Sequence, residues 1–474
     1  MTETYNFSSA AKKTAYLLIG LGTVGTILGG ILSGDSARVW ANLLINSYYG
    51  IGIGLAALFL LAAHTVGYAG WHIMVKRILE AVGSFIPIAG IGLLIVLIGT
   101  VFHFHHIYHW TDAFIKKEKV TVAEVKSYQA ELATHGSEHA EEEHGHGHKS
   151  EGDAFGLGKK FENVPLTSME KQMIADGHHV EVDLSGLSDD ALIENPYYDP
   201  IIDGKKAFLN VPFYSFRIIL YLFLWSMFYY LLRRVSLKED EIGGIQPYKK
   251  SKMYSALFLV VFAVTSSTGA WDIVMSIDTH WYSTLFGWYN MSSYFVAGVA
   301  VVALIAMYLK ANGYLEKMND EHFHDLGKYL FGFSVFWTYL WFSQFLLIWY
   351  GNIPEATMYY AARFDSLYFK IIFFFLPVIN FVFPLLVLMT KNAKRNKESL
   401  GFVAVVLILG HWLDFYLMVM PGGVGETASL GLLELSMLTL FVGLFIFTVL
   451  NTLTKASLVP SNNPYLKESI HYHS

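Results

Sequence analysis

An all-α integral membrane fold follows from three properties of the sequence. Apolar residues make up 54% of the 474 residues and charged residues only 15%, too little polar surface to cover a soluble fold. Runs of about 20 apolar residues, enough to cross roughly 30 Å of hydrocarbon, recur along nearly the whole chain. Lipid cannot satisfy the backbone of an open sheet, so each run is predicted to be a helix.

About ten spans are predicted, at 14–33, 43–68, 81–103, 211–232, 253–276, 288–309, 326–349, 369–390, 400–419 and 429–451. The first follows Lys12 and Lys13 and imitates a signal peptide. Its apolar run is long for that role and no small-x-small site closes it, so a retained span is expected. Gly20, Gly22, Gly25, Gly29 and Gly30 suit close helix packing there. Pro87, Pro377 and Pro384 are expected to kink their helices.

The chain therefore divides into an N-terminal part with three spans (1–103), a polar insertion (104–210), seven further spans (211–451) and a tail (452–474). Basic residues give the orientation. Nineteen of the 33, among them Lys76, Arg77, Arg233, Arg234, Lys394 and Lys467, fall on the side that holds the N-terminus. That side is expected to be cytoplasmic, with both termini on it and the insertion in the periplasm of a bacterial inner membrane. Within the insertion, Val120–Ala133 reads as a surface amphipathic helix, and His135–Gly152, rich in His, Glu and Gly, as a solvated tract. Metal binding by that tract is the sharper, less favoured alternative.

Composition excludes several chemistries. With no cysteine, the chain has no disulfide, thiolate-held iron–sulfur cluster, Cys nucleophile or covalent haem c. A net charge of −6 carries no nucleic-acid footprint. No phosphate-binding loop, zinc motif or nucleophile triad is visible.

Ionisable groups inside a span are costly and mark function by default. Asp272, Gln344, Glu434 and the pair His411 and Asp414 all lie toward the insertion side of their helices. His411 and Asp414 are three apart and share a helical face. His103, His105, His106 and His109 crowd the exit of the third span, whereas His64 stands nearly alone toward the basic side. A one-sided cluster of carboxylates and imidazoles suits quinol binding or a proton half-channel. Hydrogen bonds that only fix helix packing account for the same residues as well. Paired histidines for a b-type haem are not evident. The loop Ser276–Tyr289, with five aromatics and no lysine or arginine, is expected at the membrane interface as an aromatic belt or docking surface.

Three stretches carry a family resemblance. Trp271–Tyr289, Phe336–Glu355 and Gly410–Phe415, with Met420-Pro421 following, resemble the F subunit of bacterial alternative complex III, an NrfD-like (polysulfide-reductase-type) membrane subunit. The likeness covers most of the membrane region from the second span onward and is poor over 111–205. It implies two four-helix bundles plus two peripheral helices. It also implies a quinol-oxidising complex in which haems c and iron–sulfur clusters sit on other chains. Partners implied are the paralogous C subunit, an iron–sulfur subunit, multihaem cytochrome c subunits, small membrane subunits and a haem-copper oxidase. The only cofactors expected at this chain are a quinone or quinol, menaquinone-type or other, and lipids. In this reading Asp272, His411 and Asp414 handle protons, and Gln344 with the His103–His109 run lines the approach. The rival readings are a structural scaffold in that complex and a stand-alone secondary transporter.

Overall fold

The computed structural model describes residues 3–136 and 188–473. Among the described residues, ten helices are long and apolar enough to cross a membrane: Ser9–Ser33, Ser36–Val66, Lys76–Val101, Val211–Ile242, Ile245–Ile277, Leu285–Ala311, Asp320–Gly351, Leu367–Val387, Lys397–Gly423 and Leu432–Leu453. Each coincides with one predicted span, and the chain is an all-α, multi-pass membrane protein. Several helices overshoot the predicted limits because their ends are set by caps outside the apolar run. Ser8, Asp35, Asn210, Asn319 and Asn396 each accept a first-turn backbone N–H.

Spans two to five pack as one four-helix bundle and spans six to nine as a second. Spans two and six meet between the bundles and are buried along most of their length. Spans one and ten pair with each other outside. This is the arrangement that the resemblance implied. Glycines let the outer pair touch backbone to backbone. A Cβ at Gly29 would lie 2.8 Å from Leu433 Cα, and one at Gly443 would lie 2.8 Å from Ile19 N. Gly20 serves no such contact, since a Cβ there meets open space.

The prolines act at breaks rather than as simple kinks. The third span tightens at Ser84 and Phe85, and Pro87 opens the helix that follows, Ile86–Val101. In the eighth span Pro377 closes one helix, Pro384 opens another, and Val378–Val382 between them winds as a π-helix. Each proline lacks the N–H that an uninterrupted helix requires.

In the insertion, strand β1 (Lys119–Thr121) pairs antiparallel with β2 (Leu192–Glu194). The predicted amphipathic helix runs Val122–Gly136 and buries Val122, Val125 and Tyr128. Beyond Gly136, the His/Glu-rich tract lies outside the described residues. At the opposite, basic end the two chain ends meet: Leu458 N–H donates to Glu3 O over 2.8 Å.

That end holds a buried ion network. Lys76 reaches Glu239 at 2.5 Å, Arg77 reaches Glu80 at 2.7 Å and also Asp240, and Arg233 reaches Glu80 at 2.5 Å. Three cations meet three carboxylates, so three residues counted as loop charge in the sequence are internal and neutralised. Replacing Gly443 with Ile should push the tenth span off the first and lower the unfolding midpoint in detergent. Gly20→Ile should leave that midpoint unchanged.

Candidate functional site

The second bundle holds a polar cluster built around the ninth span. His411 and Asp414 are both fully buried and face spans six and seven. Asp414 accepts from Ser293 Oγ at 2.7 Å, from Trp337 Nε1 at 2.8 Å and from the Tyr289 hydroxyl. Ser293 Oγ also lies 3.0 Å from His411 Nδ1. A serine has one proton to give. With that proton aimed at Asp414, Ser293 accepts from His411 Nδ1–H, which leaves Nε2 as an acceptor. Nε2 is buried and has no hydrogen-bond partner among the described residues.

Asn380 enters the same region from the π-helical turn of span eight, and the sequence reading missed it. It is fully buried with both amide atoms unpartnered among the described residues. Its side chain lies against Gly410, where a Cβ would fall 3.1 Å from Asn380 Cγ. The signal was present: one asparagine in an apolar run between two prolines. π-turns recur at functional positions.

Two cavities lie on the insertion side of this cluster. Tyr289 lines a small one with Gln344, Tyr360 and Arg363. Tyr359 lines both that cavity and a larger one of about 580 Å³, whose wall includes His106, His109, Asp278, His280 and Asp365. Arg363, on the short helix Pro354–Phe364, stands between them. It donates to Asp278 Oδ2 at 3.2 Å and to the carbonyls of Tyr359, Leu417 and Met418 at 2.6, 3.2 and 3.0 Å. Burial holds His109 below the ordinary imidazole value. Burial also keeps Asp278 above the usual carboxylate range, although Arg363 pulls the other way. The aromatic loop is only partly an interface belt. Trp281 turns inward and stacks on Tyr359 at 4.0 Å, while Tyr282 and Trp288 stay exposed.

Five of the nine candidates thus lie in this cluster or on the walls of these cavities: His106, His109, Gln344, Asp414 and His411. The other four do not. His103 is exposed in a left-handed turn (φ 55°). His105 packs against Trp40 and places Nε2 3.1 Å from Val96 O. Asp272 belongs to the first bundle, where Arg217 of span four grips it through two bonds of 2.8 Å and Tyr221 adds a third of 2.8 Å. Glu434 joins span ten to span two, accepting from Arg38 at 2.8 Å and Asn42 at 3.1 Å. Arg217 and Arg38 went unnoticed in the sequence because each lies at the margin of its span.

His64 is not solitary. It bonds Tyr329 at 2.9 Å and stacks on His72 at 5.3 Å, with Trp71 against its ring. His72, in the turn Gly70–Met74 outside the spans, is pushed down to about 3, by burial first and by His64 second.

Two expectations follow from these contacts. Asp272→Asn leaves Arg217 buried without its counter-charge and should cost about 3–5 kcal/mol of stability. Adding Arg217→Met should recover most of that loss, as read by unfolding in detergent. The second concerns His72, which stays neutral in the folded chain but takes a proton once unfolded below about pH 6.5. Its contribution is complete above that pH and declines as pH falls from about 6.5 toward 3. Thermal midpoints at pH 7.5 and 5 should therefore differ less in His72→Gln than in the parent chain.

Compared with known proteins, the chain matches no family model and no curated relative.

Proposed function

We propose that this chain is the F-type membrane subunit of an alternative complex III, and that its second bundle carries protons between the insertion end and Asp414. In this reading it sits in a bacterial cytoplasmic membrane with the basic end inside. The observation that carries the proposal is the unusual standing of Asp414. The five other carboxylates buried in the spans among the described residues, Glu80, Glu239, Asp272, Asp325 and Glu434, each hold a lysine or arginine. Asp414 is held by three neutral donors and has no cationic partner among the described residues. It can gain or lose a proton without releasing a paired cation.

The neighbours supply a route. Protons taken up at His106 or His109 pass the Tyr359 wall to the cavity of Gln344 and Tyr360. The Tyr289 hydroxyl then hands them to Asp414, and Ser293 links Asp414 to His411. A cavity of about 580 Å³ with imidazole and phenol groups on its wall has the size and hydrogen-bonding chemistry to receive a quinol headgroup. A quinol bound there supplies protons to the route and electrons to metal centres. Because the chain has no cysteine, thiolate-held clusters and covalent haem c belong to partner subunits.

A scaffold role is the second reading, favoured by the fully satisfied pairs Arg217–Asp272 and Arg38–Glu434. The transporter reading has one new point in its favour, since the third and eighth spans are both interrupted. Their breaks lie at different depths, however, near the basic end in one and midway in the other. A matched pair of broken spans at mid-bilayer is what that reading needs.

Asp414→Asn in the assembled complex separates relay from scaffold. The expected result is intact assembly with quinol oxidation and proton release at least about tenfold slower, a loss in the range of general acid–base effects. Unchanged rates with assembly intact would remove the relay and leave the scaffold.

A further inference from the structure

Away from that bundle, the outer face of spans three and four carries a groove of about 590 Å³. Pro87, Gly90 and Leu94 line it on span three, and Phe223, Tyr230 and Arg234 on span four. Gly90 forms part of the floor, where a Cβ would already be 3.2 Å from Leu222 Cδ2. The span-four wall runs from Ile219 to Arg234, fifteen helical steps or about 22 Å at ~1.5 Å per step. That exceeds the half-thickness of a ~30 Å hydrocarbon core, so the groove reaches from the basic interface past the midplane. Its wall is almost wholly apolar until Arg234.

Arg234 differs from every other arginine in the chain. Arg38, Arg77, Arg217, Arg233, Arg363 and Arg395 each hold a carboxylate. Arg234 has no ion pair or hydrogen bond among the described residues, and it is exposed at the end of the groove. Its neighbour Arg233 turns inward to Glu80 over 2.5 Å, so the two adjacent guanidiniums have opposite fates. Lys238, one turn further and on the same face, is likewise exposed. An arginine in water at an interface is unremarkable by itself. One that closes an acyl-length apolar groove is a two-part receptor.

We infer that the groove between spans three and four is a binding site for one anionic phospholipid. One acyl chain lies along Leu94, Phe223 and Tyr230, and the phosphate rests on Arg234 with Lys238 beside it. A guanidinium meets a phosphate through paired hydrogen bonds, and basic pockets between membrane helices favour anionic headgroups for this reason. An uncharged quinone would fill the groove without using Arg234. This inference is independent of the proton route in the second bundle.

The test uses the full chain, delipidated in detergent and titrated with phosphatidylglycerol or phosphatidylcholine, with bound lipid counted by native mass spectrometry. The parent should bind phosphatidylglycerol roughly tenfold tighter than Arg234→Gln, the factor expected for one charge-assisted contact. Arg234→Lys should fall between them, and phosphatidylcholine, whose choline offsets its phosphate charge, should bind the parent more weakly and lose less on substitution of Arg234. Equal phosphatidylglycerol binding by parent and Arg234→Gln would overturn the site. So would equal affinity of the parent for both lipids, or crosslinks in the assembled complex placing a partner helix over Tyr230.

Discussion

The cost of removing charge from water is the constraint on which the rest of this structure depends. An ion buried in an apolar interior loses several kcal/mol of solvation unless a partner of opposite sign meets it with good geometry. The chain meets that demand by pairing charges between and within its spans. At the basic end Lys76, Arg77 and Arg233 close on Glu80, Glu239 and Asp240, tying spans three and four together. Arg217 and Asp272 join spans four and five. Arg38 and Glu434 fasten the outer pair of helices to span two. Lipid offers little hydrophobic force between helices, so such directed contacts, with glycine-mediated close approach, set which helices are neighbours.

Against that background the second bundle is built differently. Its central carboxylate is met by hydroxyl and indole donors alone, its histidine keeps one ring nitrogen unpartnered among the described residues, and span eight is interrupted by a π-turn carrying Asn380. Buried ion pairs thus tie the first bundle together, whereas the carboxylate at the centre of the second is held by neutral donors. The division follows the charges: Asp272 and Asp414 lie toward the same end of their spans, yet one is locked by an arginine and the other is not. Arg363 occupies the boundary, fixing the wall of the mouth cavity through three backbone carbonyls and Asp278.

The outer surface is where unmatched charge remains. Arg233 and Arg234 are adjacent in sequence and about 100° apart around the helix, so one faces the basic-end network and the other the lipid. A groove closed by a guanidinium with no partner among the described residues belongs to the outer face of the protein, distinct from the polar interior of the second bundle.

Much of this was legible in the order of residues. The number of spans, their approximate limits and the common face of His411 and Asp414 follow from hydrocarbon thickness and from 3.6 residues per turn, which are local properties. His106, His109 and Gln344 were also legible as polar groups near one end. What could not be read was company. Tyr289, Ser293 and Trp337 look like ordinary residues of apolar helices, and nothing local says that all three converge on Asp414 across 77 to 125 positions. Nor could Asp272 be told from Asp414, or the fate of Arg233 from that of Arg234. Sequence by itself determined a ten-helix membrane chain with ionisable groups at known depths. Only the tertiary structure decided which of those groups are neutralised by a partner, because a charge is matched by whatever side chain another helix brings within about 3 Å.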